Sequence, residues 1–146
     1  SSFTGTKVDD IVLMFNPNIK SNKEIKQEKN NYISKVLNEY KNIYENSNIR
    51  NLFYSDDAVK KMKYNINHNK LLNDNILKSL NELPIYNNTY LHLAIFSTNV
   101  IGNPHYYDLD TPNSNLLIQF ICYLLDVKYC NNRKDKIDIL QCWNIY

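Results

Sequence analysis

Glycine and proline are scarce, at 2 and 4 among 146 residues. So few turn residues argue against an all-β chain of many short strands. They argue equally against a glycine-lined phosphate cradle, where the backbone must approach its ligand closely. Alanine occurs only as Ala58 and Ala94. The cysteines, Cys122, Cys130 and Cys142, are odd in number and lack paired spacing. That excludes a regular disulfide framework and points to a reducing compartment. His68, His92 and His105 are scattered, and no C-x-x-C or H-x-x-x-H spacing occurs, so no metal site is expected. The two longest strongly apolar stretches, 90–101 and 116–127, are near 12 residues each, whereas a membrane span needs about 20. The polar first ten residues do not read as a signal peptide. The chain is expected to be cytoplasmic and to avoid the membrane.

Asparagine and tyrosine are abundant instead, at 25 and 12 residues. With 43% hydrophobic residues, the chain is long and apolar enough for a single compact domain over 1–146. The net charge of +2 is unevenly spread. Residues 1–70 hold 12 Lys/Arg against 8 Asp/Glu, and residues 71–146 hold 5 against 7. A basic and an acidic half suit electrostatic docking to another macromolecule, although ordinary solvated lysines would give the same count.

Along the chain, the apolar run 11–15 stops at Asn16-Pro17-Asn18, which favours a short buried strand. Ser21 or Asn22 caps a helix whose stripe is Ile25, Ile33, Val36, Leu37, Tyr40, Ile43 and Tyr44, reaching about Asn46. Residues 49–54 fit a second strand or a helical turn. Asp56 or Asp57 caps the next helix, 65–69 reads as a polar connector, and Leu71, Leu72, Ile76, Leu77 and Leu80 form another stripe ending before Pro84. Residues 90–101 are apolar almost all round and read as a buried helix. Residues 102–110 form a loop, after which Thr111 and Pro112 read as N-cap and first helical position. The helix from Pro112 carries Leu116 to Leu125, and 137–146 reads as a last short helix or an extended end. Phe120, Cys122 and Trp143 are expected in the core.

The densest group of titratable and aromatic residues lies in the loop: His105, Tyr106, Tyr107 and Asp108. A general acid-base role for His105 with Asp108 is conceivable chemically. Recognition suits the group better, because tyrosine and histidine give stiff amphipathic contact area. These four are the expected partner-binding residues. Lys60, Lys61 and Lys63, with Tyr54 and Tyr64 nearby, are the alternative: a nucleic-acid surface combining phosphate contacts with stacking, with RNA bound weakly. A solvated helix face explains the same lysines more simply. No G-x-S-x-G setting appears, so no nucleophile elbow is expected.

The segment from Thr111 to Tyr146 resembles the closing part of a glutathione-transferase-like helical domain. The resemblance rests on the Thr111-Pro-Asn-Ser114 cap, the buried run Leu116-Leu-Ile-Gln-Phe-Ile-Cys-Tyr-Leu-Leu125 and the closing Ile137-Asp-Ile-Leu-Gln-Cys-Trp143. The form it is most similar to is the non-catalytic one appended to aminoacyl-tRNA synthetases and their scaffold proteins. The sequence departs from that pattern at Ser114, where the cap has Asp, and at Cys142, where the scaffold domains have Arg. No Tyr, Ser or Cys follows the first strand, and no Pro lies between Pro17 and Pro84 to hold glutathione. The resemblance therefore implies a mainly α fold with a small N-terminal β element, a reduced thioredoxin-like part over 1–65 and a helical part over 66–146. It implies no enzyme activity, no cofactor, and assembly of a cytoplasmic complex, in protein biosynthesis, with another domain of similar fold. The alternatives are an all-α bundle serving as an unrelated helical protein-binding module, or an RNA-binding helical domain.

Overall fold

Ser21 opens the first helix. Its hydroxyl accepts the Glu24 amide proton at 3.2 Å, satisfying one of the orphan donors of a helix start. Helix α1 then runs Asn22–Ile43. The computed structural model describes residues 21–128 and 132–146. α1 buries Val36, Leu37 and Tyr40, and Ile33 and Tyr44 pack against them, while Ile25, Tyr32 and Ile43 stay exposed. The expected stripe thus packs only from Ile33 onward. Tyr40 ties α1 to the next helix through a hydrogen bond from its hydroxyl to Asp74.

A 3₁₀ helix, Arg50–Tyr54, follows, which is the helical turn of the two readings for 49–54, and it buries Leu52 and Phe53. Ser55, rather than Asp56 or Asp57, caps helix α2, Asp56–Asn81. The two aspartates occupy the first turn, where negative charge suits the helix dipole. The stretch 65–69, expected as a connector, lies inside α2 and bends it. Asn69 leaves helical geometry (φ −159°, ψ 82°). Its side-chain carbonyl accepts from the Leu72 amide at 3.1 Å, so it caps the second half of the helix from within. Across the bend, the buried Asn65 amide donates to the buried Asn73 at 3.2 Å.

After a short 3₁₀ helix, Pro84–Asn87, helices α3 (Leu93–Ile101), α4 (Pro112–Leu125) and α5 (Arg133–Cys142) complete the described fold. Thr111 caps α4 as expected, accepting from the Ser114 amide at 3.3 Å. α4 buries Leu116, Leu117, Ile118, Phe120, Ile121 and Cys122. α3 differs from expectation. It buries Phe96, Ser97 and Val100, but Ile95 is exposed, as is Tyr90 before it. Trp143 is half-buried at the rim of the core, edge-on to Tyr86 at 5.8 Å.

α2 is the axis of the arrangement. α1, α3, α4 and the first 3₁₀ helix pack on it, and α5 packs on α4. The end of the chain folds back beside the start of α3. Leu91 and Ile145 form a parallel bridge, with hydrogen bonds from Tyr146 N–H to Leu91 C=O at 2.9 Å and from Leu93 N–H to Tyr146 C=O at 2.7 Å. The protein is mainly α, and no β-strand occurs among the described residues. The strand expected at 11–15 lies outside the described residues. From residue 21 to 65, where a thioredoxin-like part was implied, the chain is α1, the 3₁₀ helix and the start of α2, which passes residue 65 unbroken. No helix among the described residues is long and apolar enough to cross a membrane.

Candidate functional site

The loop 102–110 begins where Gly102 ends α3. Its φ of +88° is the left-handed conformation that glycine adopts without strain. The Asn103 side chain accepts from the His105 amide at 2.9 Å. Successive turns follow, with Asp108 N–H donating to His105 C=O and Thr111 N–H to Asp108 C=O. These turns send alternate side chains inward and outward. Tyr107 points inward and is fully buried, its ring stacked on Phe96 and edge-on to Tyr106. Ser79 donates its one hydroxyl proton to the Asn75 carbonyl at 2.7 Å. The Tyr107 hydroxyl lies 2.6 Å from the Ser79 hydroxyl and 3.4 Å from the same Asn75 carbonyl, so the two hydroxyls and that carbonyl form one hydrogen-bonded group. Burial pushes the Tyr107 hydroxyl well above the ordinary tyrosine range. Tyr106 is half-buried and accepts from the Asn75 amide at 3.0 Å.

His105 and Asp108 point outward as a surface pair, Nδ1 to Oδ2 at 2.9 Å, with side chains 80% and 50% exposed. The expected set of four partner-binding residues thus divides. His105 and Asp108 are accessible, Tyr106 in part, and Tyr107 is a core anchor because its ring fills the space between α2 and α3. Sequence reasoning missed the polar residues that hold the loop, Asn75 and Ser79. Their only sequence signal is an i, i+4 pair interleaved with the apolar stripe of α2.

Asp110, at a φ of +67°, is clasped by α5: Arg133 pairs with one carboxylate oxygen and Lys136 reaches the other at 3.3 Å. The Lys136 side chain is 4% exposed, so its ammonium is held away from water with Asp110 as its partner. Between this clasp, the loop and the start of α3 runs an open groove of 680 Å³. Leu93, Ala94, Ile95 and Leu109 give it an apolar floor, Tyr146 closes one side, and His92, Asp108 and Arg133 supply polar edges. Ile95 and Tyr146 are 47% and 55% exposed. The His105–Asp108 pair stands in solvent, with no walls to exclude water from a reacting group. Its geometry is that of a surface hydrogen-bonded pair beside a groove. Among the described residues, no group of three or more His, Cys, Asp or Glu could hold a metal ion.

The alternative basic site lies elsewhere, on the first half of α2. Lys60 and Lys63 are exposed and Lys61 half-exposed. Lys61 Nζ sits 5.2 Å from the centre of the Tyr64 ring. The His68 ring stacks on Tyr64 at 4.0 Å and 19°. A hollow of 260 Å³ adjoins them, bordered by Asp57, Lys60, Lys61, Tyr64 and Tyr123 of α4.

The fold and these two surfaces define a helical domain with open grooves. A family model described as "Protein of unknown function N-terminus (DUF3323)" matches residues 2–145, and the chain belongs to that family. No curated protein and no solved structure matches it. The glutathione-transferase-like resemblance is thereby overturned, since a different family spans nearly the whole chain and the described residues hold helices without a strand. Its residues, a Thr-Pro cap, an aliphatic helix and a late Trp, meet general needs of a buried capped helix with an aromatic beside it. Many unrelated helical folds share those needs. The synthetase assembly and the partner of similar fold rested on that resemblance and lose their basis with it.

Proposed function

We propose that this domain is a non-catalytic protein-binding module whose groove beside the loop 102–110 receives a short apolar segment of a partner protein. One observation carries the reading: an open floor of Leu93, Ala94, Ile95 and Leu109 is presented beside the outward-facing His105 and Asp108. The loop is tied down at two points. Tyr107 pins the loop to α2, and Asp110 pins its end to α5. Preorganised apolar contact flanked by polar groups is what peptide grooves use, because little ordering remains at the moment of binding. A reducing, cytoplasmic setting goes with this reading, since three cysteines without paired spacing suit no regular disulfide framework.

The test places a photo-crosslinking amino acid at Ile95 in the protein as expressed in its own cell. A discrete, nuclease-resistant adduct is expected, lost when His105 and Asp108 are both changed to alanine. The exposed position Lys78, at the end of α2, is the control and should give no such adduct. The same adduct from both positions, or none from Ile95, would refute the groove.

A further inference from the structure

We propose that the first half of α2 is a second binding surface, for single-stranded nucleic acid, with a base stacking on Tyr64 and the phosphate backbone following Lys60 and Lys61. The proposal does not rest on the protein-binding groove. Lys60, Lys61, Tyr64 and His68 follow helical i, i+3, i+4 spacing and so share one face of the helix. Tyr64 is 56% exposed, and His68 is exposed beside it. The exposed Tyr64 ring is flanked by neighbours one helical turn away on either side in sequence. His68 donates from Nδ1 to the Tyr64 carbonyl at 2.8 Å, since that carbonyl can only accept. The bond locks the imidazole flat against one side of the phenol ring.

The Lys61 ammonium also lies by the Tyr64 ring, 5.2 Å from its centre, next to the hollow. A cation over an exposed ring is held more weakly than a stacked base. A base entering the hollow would displace Lys61 from the ring, and the freed ammonium, with Lys60, would meet the adjoining phosphates. Neither lysine takes part in the ion pairs among the described residues, which involve Lys70, His105, Arg133 and Lys136. Asp57 is the one acid on the rim. It repels phosphate from its own end and directs the backbone along the lysine side. Nothing in this arrangement reads base edges in a duplex groove, so the occupant is single-stranded and the binding tolerant of sequence.

The test is fluorescence anisotropy with labelled dT12, rU12 and a 12-base-pair duplex, titrated with the protein over a range of salt. Single strands should bind better than duplex, with log K falling against log salt by a slope of about −1.4, as for two phosphates neutralised. Tyr64→Ala should lower affinity about tenfold or more with the slope unchanged, and Tyr64→Phe should restore it. Lys60→Ala with Lys61→Ala should flatten the slope. All these positions are exposed or half-exposed, and circular dichroism confirms that each variant is folded. Preference for rU12 would name RNA, preference for dT12 would name DNA, and equal binding would name both. Failure of both single strands to bind at low salt, binding unchanged in the folded Tyr64→Ala protein, or duplex bound as tightly as single strand would each overturn the proposal.

Discussion

Tyr107 joins three parts of the molecule at once: its ring lies on Phe96 of α3, its hydroxyl reaches Ser79 of α2, and its backbone belongs to the loop. Removing the ring leaves a cavity where packing is dense, so Tyr107→Ala should cost about 3–5 kcal/mol in denaturant unfolding. Tyr107→Phe removes one hydrogen bond and should cost about 1 kcal/mol. His105→Ala and Asp108→Ala, which break an exposed pair, should stay within about 0.5 kcal/mol of wild type. A Tyr107→Ala protein as stable as wild type would place the tyrosine outside the core. The buried hydroxyls also set the response to alkali. Burial, with Asp74 adding to it at Tyr40, keeps Tyr40 and Tyr107 protonated in the folded chain beyond the ordinary range. Above about pH 10 the unfolded chain releases those protons while the folded chain keeps them. The unfolded state then binds fewer protons, so stability falls as pH rises, and below about pH 10 the two groups contribute no slope. Melting temperatures measured upward from about pH 9 should decline, and Tyr107→Phe should decline less steeply, because one such group is gone.

With glycine so scarce, asparagine and aspartate take most of the left-handed backbone positions among the described residues. Asn88, Asp110, Asp126 and Asn144 all hold positive φ, the left-handed region that short polar side chains tolerate better than other non-glycine residues. At the end of α4, Asp126 occupies the position where glycine is usual. Val127 N–H donates to Cys122 C=O at 3.0 Å, and Asp126 N–H to Tyr123 C=O at 3.3 Å, which together close the helix. Aspartate there carries strain and places negative charge at the negative end of the dipole. Asp126→Gly should therefore stabilise the protein by about 1 kcal/mol, read as a raised denaturant midpoint with unchanged slope. Start signals were legible before the structure was known: Ser21 and Thr111 cap where local chemistry places them. The bend in α2 was less so. A run of alternating asparagines reads as a connector by composition. The backbone does leave helical geometry at Asn69, but the internal cap from Asn69 restarts the helix at once, and the pairing of Asn65 with Asn73 ties the two halves together across the bend.

Across the whole molecule, what local patterns carry and what only three-dimensional pairing carries separate cleanly. Stripes and caps announced α1, the two halves of α2, and α4, because each depends on residues within a few positions of one another. The stretch that becomes α5 carried no stripe that chose helix over an extended end. The docking groove had no such signal. Its floor joins Leu93 and Ile95 to Leu109 and Tyr146, and no periodicity links α3 to the end of the chain. The loop's division into a buried Tyr107 and an outward His105 was equally unreadable, since adjacent polar aromatics look alike until α2 supplies Asn75 and Ser79. Exposure of Ile95 followed the same rule: the run 90–101 is apolar all round, but only one side of it finds a neighbour. Among the described residues the backbone hydrogen bonds that span most sequence, outside the helices, join 91–93 to 144–146, beside the Leu91–Ile145 bridge. Ile145 is fully buried, and the backbone around it holds residues 91–93 through a short run of parallel bonds. One side chain thus anchors the chain end to the start of α3 and so fixes one wall of the groove. Ile145→Ala should cost about 2–5 kcal/mol. The distinguishing measurement is amide hydrogen exchange. Leu93 and Tyr146, whose amides donate across this junction, should lose protection more than the α1–α2 contact does, because the opening is local to the junction. Uniform loss of protection over α1 and α2 would show instead that the chain end belongs to the global folding unit and does not act as a separate clasp on the groove.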